Sequence, residues 1–128
     1  MIPTDLIRLI WSFVQKPLVI PNEYIDWFWL AGNPNDGAFE MMLRGVSNKS
    51  NHKKIYWNML SKNPNDGAIE MLRAVSKSNP EKIDWSRLSG NPNDGAIEML
   101  RAVYKSNPKK ISWCFLNKNK NPLVRFKN

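Results

Sequence analysis

The chain has 128 residues, 42% of them hydrophobic, with six Trp, five Phe and three Tyr. That composition describes one domain with a core and excludes a disordered tail. One cysteine, Cys114, excludes an internal disulfide and a Cys-based metal site, and a free thiol suits a reducing compartment. The net charge of +8 raises the question of an acidic partner.

In chain order, Pro3-Thr4-Asp5 opens a helix with one narrow polar stripe of Asp5, Arg8, Ser12 and Gln15. Apolar residues fill the rest of its surface. The run from Leu6 to Ile20 is broken by Arg8, Gln15, Lys16 and Pro17. It therefore falls short of the ~20 apolar residues of a membrane span. No basic segment precedes it and Asp5 stands near its start, so a secretory signal is not expected. We expect no membrane partner and an intracellular location rather than a secreted one. Two readings of the apolar surface stay open. The loop Lys16 to Pro21 and the pair Phe28/Trp29 could fold over it. Alternatively it is an exposed patch for a protein partner or self-association, carried by Leu6, Leu9, Trp11, Phe13, Phe28 and Trp29.

From here the chain repeats itself, which governs the rest of the reading. Ile-x-Trp-x-x-Leu occurs at Ile25/Trp27/Leu30, Ile55/Trp57/Leu60, Ile83/Trp85/Leu88 and Ile111/Trp113/Leu116, with Trp spacings of 30, 28 and 28. Between these lies Asn-Pro-Asn-Asp-Gly-Ala, starting at Asn33, Asn63 and Asn91. We read it as a helix start. Asn91 is the cap, Pro92 takes the first helical position, and Asp94 reaches back and suits the positive end of the dipole. Ala96, Ile97, Leu100 and Val103 then form one apolar face, with Glu98 and Arg101 paired on the other. The helix should end near Lys105. Gly95 and Ala96 permit close approach of neighbouring helices. A second Asn-Pro, at Asn79 and Asn107, should cap a shorter helix carrying Ile83, Trp85 and Leu88.

Each unit is then a helix hairpin that cannot bury its apolar side alone, so neighbours must stack. The expected fold is all-α, a small α-solenoid of about four helix hairpins of 28–31 residues. Residues 1–32 form an atypical N-terminal cap repeat, and 33–62, 63–90 and 91–118 are full repeats. Residues 119–128 are a truncated repeat or tail, with Pro122 placed 30 residues after Pro92.

These motifs, "LSGNPNDGAIEMLRAV" (Leu88 to Val103) and "NPEKIDWSRLSGNP" (Asn79 to Pro92), resemble the short Asn-Pro/Trp helical repeats of proteins from large double-stranded DNA viruses of algae and amoebae. The resemblance covers Ile25 to Leu116. It implies a helical array and a viral origin, hence the host cytoplasm or the virion as location, and it implies no activity.

Chemistry is sparse. An EF-hand loop with Gly95 at its sixth position would put Gly90, Pro92 and Arg101 where oxygen ligands belong. The lone His52 excludes a His pair, and it reads as an exposed helix-start residue. Cys114, between Trp113 and Phe115, reads as a small buried hydrophobe. Asp66/Glu70 and Asp94/Glu98 recur with the repeat, which marks them as architecture rather than an acid/base pair. The Trp row could stack bases, but its place between Ile and Leu favours a core role. No catalytic residue, cofactor, metal or small-molecule substrate is expected. The whole charge excess lies in residues 99–128, where 8 Lys/Arg face no acid. Arg101, Lys105, Lys109, Lys110, Lys118, Lys120, Arg125 and Lys127 are therefore either a solubilising end or a contact for phosphates or an acidic protein. The functional expectation is a non-enzymatic protein-binding or scaffold module, with nucleic-acid binding through residues 99–128 as the alternative.

Overall fold

The computed structural model describes residues 3–15, 18–47 and 55–127, with side chains for all of these except 10–15. These residues hold eight α-helices and no strand: α1 (Thr4–Gln15), α2 (Trp27–Ala31), α3 (Asp36–Ser47), α4 (Trp57–Ser61), α5 (Asp66–Ser78), α6 (Trp85–Ser89), α7 (Asp94–Ser106) and α8 (Trp113–Asn117). From α2 onward short and long helices alternate. Like packs on like: α2, α4, α6 and α8 form one layer, and α3, α5 and α7 form the other. The core lies between the layers. Met42, Leu60, Ile69, Leu72 and Leu88 are its largest fully buried apolar side chains. Ala96, Ile97, Leu100 and Val103, the face expected from their spacing, are all buried. Five-residue helices have no stability of their own, so the short layer exists only because the long layer and the caps hold it.

The unit is built differently from the expected hairpin at two places. First, the long helices begin two residues late. Asn93, not Asn91, is the cap, its Oδ1 accepting from Gly95 N at 2.7 Å. Asn65 does the same for Gly67 N at 2.8 Å. Pro92 precedes the cap and Asp94 is the first helical residue. Second, Asn79 and Asn107 cap no short helix. They close the preceding long helix, their N–H groups donating to Val75 O and Val103 O at 2.7 Å. A 3₁₀ turn follows (Pro80–Lys82, Pro108–Lys110), then an extended Ile, then the short helix. That helix is capped by the residue before its Trp: Asp26, Asp84 or Ser112.

The displaced Asn91 serves the neighbouring repeat. Its Nδ2 donates to Ser61 O at 3.0 Å and Asn63 O at 2.9 Å, while its Oδ1 accepts from Asn93 N at 3.0 Å. All the hydrogen-bonding atoms of a 1% exposed amide are thus satisfied. Asn63 makes the equivalent bonds to Ala31 O and Asn33 O, and Asn119 to Ser89 O and Asn91 O. A parallel row uses the cap residues. Asn65, Asn93 and Asn121 each donate from Nδ2 to the preceding repeat's carbonyl, and at 2.7 Å to Asp36, Asp66 and Asp94 respectively. The Asp therefore receives the next repeat rather than reaching back to its own cap. A third row runs through Ser61 and Ser89. Each Oγ donates to the Trp carbonyl one turn back and accepts the next repeat's N–H, from Asp84 or Ser112, at 3.0 Å. Three polar rows and one apolar core thus fix the same register.

The glycines open the close approaches. A Cβ on Gly95 would lie 2.7 Å from Ile69 Cγ2 and 2.9 Å from Arg73 Nη2. One on Gly67 would strike the Phe39 ring, and one on Gly45 the Trp27 ring. In the last unit Asn119 and Asn121 occupy the places of Asn91 and Asn93, so Pro122 matches Asp94 and not Pro92. Leu123 then stands where the repeat has its glycine. No helix follows it within the described residues.

Candidate interaction surfaces

The first unit exposes apolar side chains in number. Leu6, Ile7 and Leu9 of α1 are exposed, as are Leu18, Val19, Ile20 and Tyr24 after it. Leu18 is 96% exposed, so the described part of the loop does not cover the helix. Trp29 is 62% exposed, with Lys62 Nζ 5.8 Å above its ring. Phe28 is not part of this surface: it packs on the core and sets its ring edge-on to Tyr56 at 5.4 Å. The side chains of Trp11 and Phe13 lie outside the described residues, as does His52.

The last unit is basic and, unlike the interior, shows aromatic rings. Trp113 is 54% exposed and Tyr104 53%, their rings edge-on at 6.0 Å. Phe115 lies beneath Lys118 Nζ at 5.9 Å. Tyr104 and Trp113 line a groove of about 230 Å³, walled by Ile97, Leu100, Leu123 and Val124, with Arg101 and Arg125 at its edge. The groove lies where α5 has α7 against it.

The predicted cations divide. Lys110 sits 5.2 Å over the Trp85 ring, as Lys82 sits 5.6 Å over Trp57. Both belong to the repeat as cation–π contacts across units. Arg101, Lys105, Lys109, Lys120, Arg125 and Lys127 are exposed, and no acid among the described residues pairs with any of them. The expected pair of Glu98 with Arg101 is absent. Glu98 binds Arg73 of the preceding unit at 2.8 Å, and Arg73 also holds Glu70 at 2.8 Å. Among the described residues no unit follows that of Arg101, and no acid stands at the place that Glu98 has opposite Arg73.

The Trp row is graded in the same way. Trp57 and Trp85 are half-buried against the core, whereas Trp113 is exposed. Cys114 is exposed and not buried. Ser86, the residue after Trp in α6, is exposed as well, whereas Phe28 at that place in α2 packs on the core beside Tyr56.

The carboxylates Asp66, Glu70, Asp94 and Glu98 line a groove of about 380 Å³. All four are engaged by Asn or Arg of the array. Among the described residues no group of three His, Cys, Asp or Glu could hold a metal, and no helix is long and apolar enough to cross a membrane. The fold defines a class, an all-α protein of stacked helical repeats. The chain matches no protein-family model, no curated protein and no solved structure.

Proposed function

We propose that this chain is a non-enzymatic helical-repeat module that binds protein through the ends of its array. The observation that carries this reading is the row of exposed apolar side chains at the first unit, from Leu6 and Leu9 through Leu18 to Trp29. An apolar patch of that kind marks an interaction surface. The engagement of Asp66, Glu70, Asp94 and Glu98 in Asn or Arg contacts supports a structural use for residues that could otherwise do acid/base work. The resemblance of the repeats to those of large DNA viruses of algae and amoebae points to a virion or host-interaction component. A pull-down from infected cells with the natural chain and with Leu9→Glu tests it. A protein lost with the variant, and bound again when purified, supports the reading. Identical recoveries from both chains overturn it.

A second reading has its own observation. Tyr104, Trp113 and Phe115 stand exposed among unpaired cations, the combination of a groove for single-stranded nucleic acid. Binding to single-stranded and duplex DNA is measured at two salt concentrations. Affinity should fall steeply with salt, and Lys105, Lys109 and Lys120→Glu together should abolish it while the fold survives. Absence of binding at low salt removes this reading.

A further inference from the structure

The two ends of the array are complementary in a way that a shared apolar character does not require. Every interior rung of the Asn rows is filled. At the first rung, Asn33 and Asn35 use their Oδ1 atoms for Asn35 N and Gly37 N. Their Nδ2 groups donate to nothing among the described residues. Both residues are exposed, whereas Asn63 and Asn91 are buried. At the last rung the acceptors are the ones left over. The carbonyls that a following Asn pair would take, by the 28-residue register of Asn91 and Asn119, are those of Asn117, Asn119 and Lys120. No donor among the described residues reaches them.

The helical layers show the same match. Among the described residues no long helix follows α7, and the groove beside Tyr104 lies open there. At the other end α1 is a long helix whose described side chains, Leu6 and Leu9 among them, are exposed. In the short layer Trp113 is uncovered. The residue that covers each preceding Trp is the one before the repeat's Ile: Lys82 over Trp57 and Lys110 over Trp85. In the first unit that place belongs to Tyr24, which is 74% exposed.

We propose that the occupant of the C-terminal end is a second copy of this chain, stacked head to tail in the register of the internal repeats. The copy's α1 lies along α7 and its α2 on α8. Its Asn33 and Asn35 amides donate to the carbonyls of Asn117, Asn119 and Lys120, and its Tyr24 lies over Trp113. Such an interface joins unlike surfaces, so a dimer does not satisfy it: repeated, it builds a ring or an open filament. This inference deepens the protein-binding reading and rests on it.

The test is molecular mass by light scattering across protein concentration. The natural chain should rise from 14.9 kDa with no plateau at the dimer. Leu9→Glu blocks one end and Tyr104→Glu the other. Both sites are exposed, and circular dichroism checks that each variant is folded, with Tyr24→Ser as a second N-terminal variant. Each variant alone should stay monomeric. Their equimolar mixture retains one good pair of ends and should stop at about twice the monomer mass. A natural chain that remains monomeric up to about 1 mM overturns the proposal. So does a variant that still grows, or a mixture that does not pair. If the chain is monomeric but loses a purified partner on Leu9→Glu, self-stacking fails and the protein-binding reading stands.

Discussion

Asn63-Pro64-Asn65 and Asn33-Pro34-Asn35 are the same three residues with opposite surroundings. Asn63 is fully buried and its amide holds two carbonyls of the unit before it. Asn33 is exposed and its amide holds no carbonyl among the described residues. The local turn is the same in both, with Oδ1 accepting the N–H two residues on at 2.9 and 3.0 Å. What differs is the neighbour. The motif shapes its own turn, and only a preceding repeat in register converts its remaining donors into buried, satisfied bonds. The interior and the ends thus contain one grammar, completed in one place and left open in the other.

The sharpest way to test that comparison is to remove the same atom group from both places. Asn91→Ala leaves Ser61 O, Asn63 O and Asn93 N without their partner inside the molecule. With an unmet buried group costing about 1–3 kcal/mol, we expect a loss of about 3–4 kcal/mol in urea unfolding. Asn33→Ala, measured at low protein concentration, removes one exposed bond and should cost under about 1 kcal/mol. Equal losses would mean that the rows contribute nothing beyond their turns.

The glycine comparison is next in size. Gly95→Leu brings a side chain onto Ile69 and Arg73, whose atoms already stand 2.7 and 2.9 Å from a bare Cβ. Overpacking of this kind costs about 1–3 kcal/mol. Gly37 has only its own Asn35 Oδ1, at 3.1 Å, near that position among the described residues. Gly37→Ala should therefore stay within about 0.5 kcal/mol of the natural chain. A stable Gly95→Leu would show that the stacked helices have room to separate.

The layers were legible in the sequence because they depend on local periodicity. Ile97, Leu100 and Val103 declare their face by spacing alone, and Gly95 declares a close approach. The helix start was harder, because Asn91 and Asn93 are equally good caps and Pro92 fits the first turn. The discriminating signal was present. In the last unit Lys120 replaces the proline while Asn119 and Asn121 both persist, so the pair of Asn is the repeated element and the proline is not. The same pair would have placed Pro122 correctly. Contacts between units were not legible at all. That Lys110 covers Trp85, or that Glu98 binds Arg73 rather than Arg101, depends on how far one unit rotates on the next. The charge of the C-terminal end could be counted in advance, but which of its cations are already committed could not.

The Arg73 network offers the smallest effect and the most direct contrast between equivalent positions. Arg73 bridges Glu70 and Glu98, all three at least 40% exposed as side chains. Exposed pairs contribute little, about 0.2–1 kcal/mol even with good geometry. Glu98→Gln should therefore lower stability by under about 1 kcal/mol, and the difference should shrink as salt screens the pair. Arg101 holds the same place one unit later with no acid opposite, so Arg101→Gln should leave the unfolding curve of the monomer unchanged at any salt. A salt-dependent loss from Arg101→Gln would mean that an acid reaches it, and the open end of the array would then be less open than its geometry indicates.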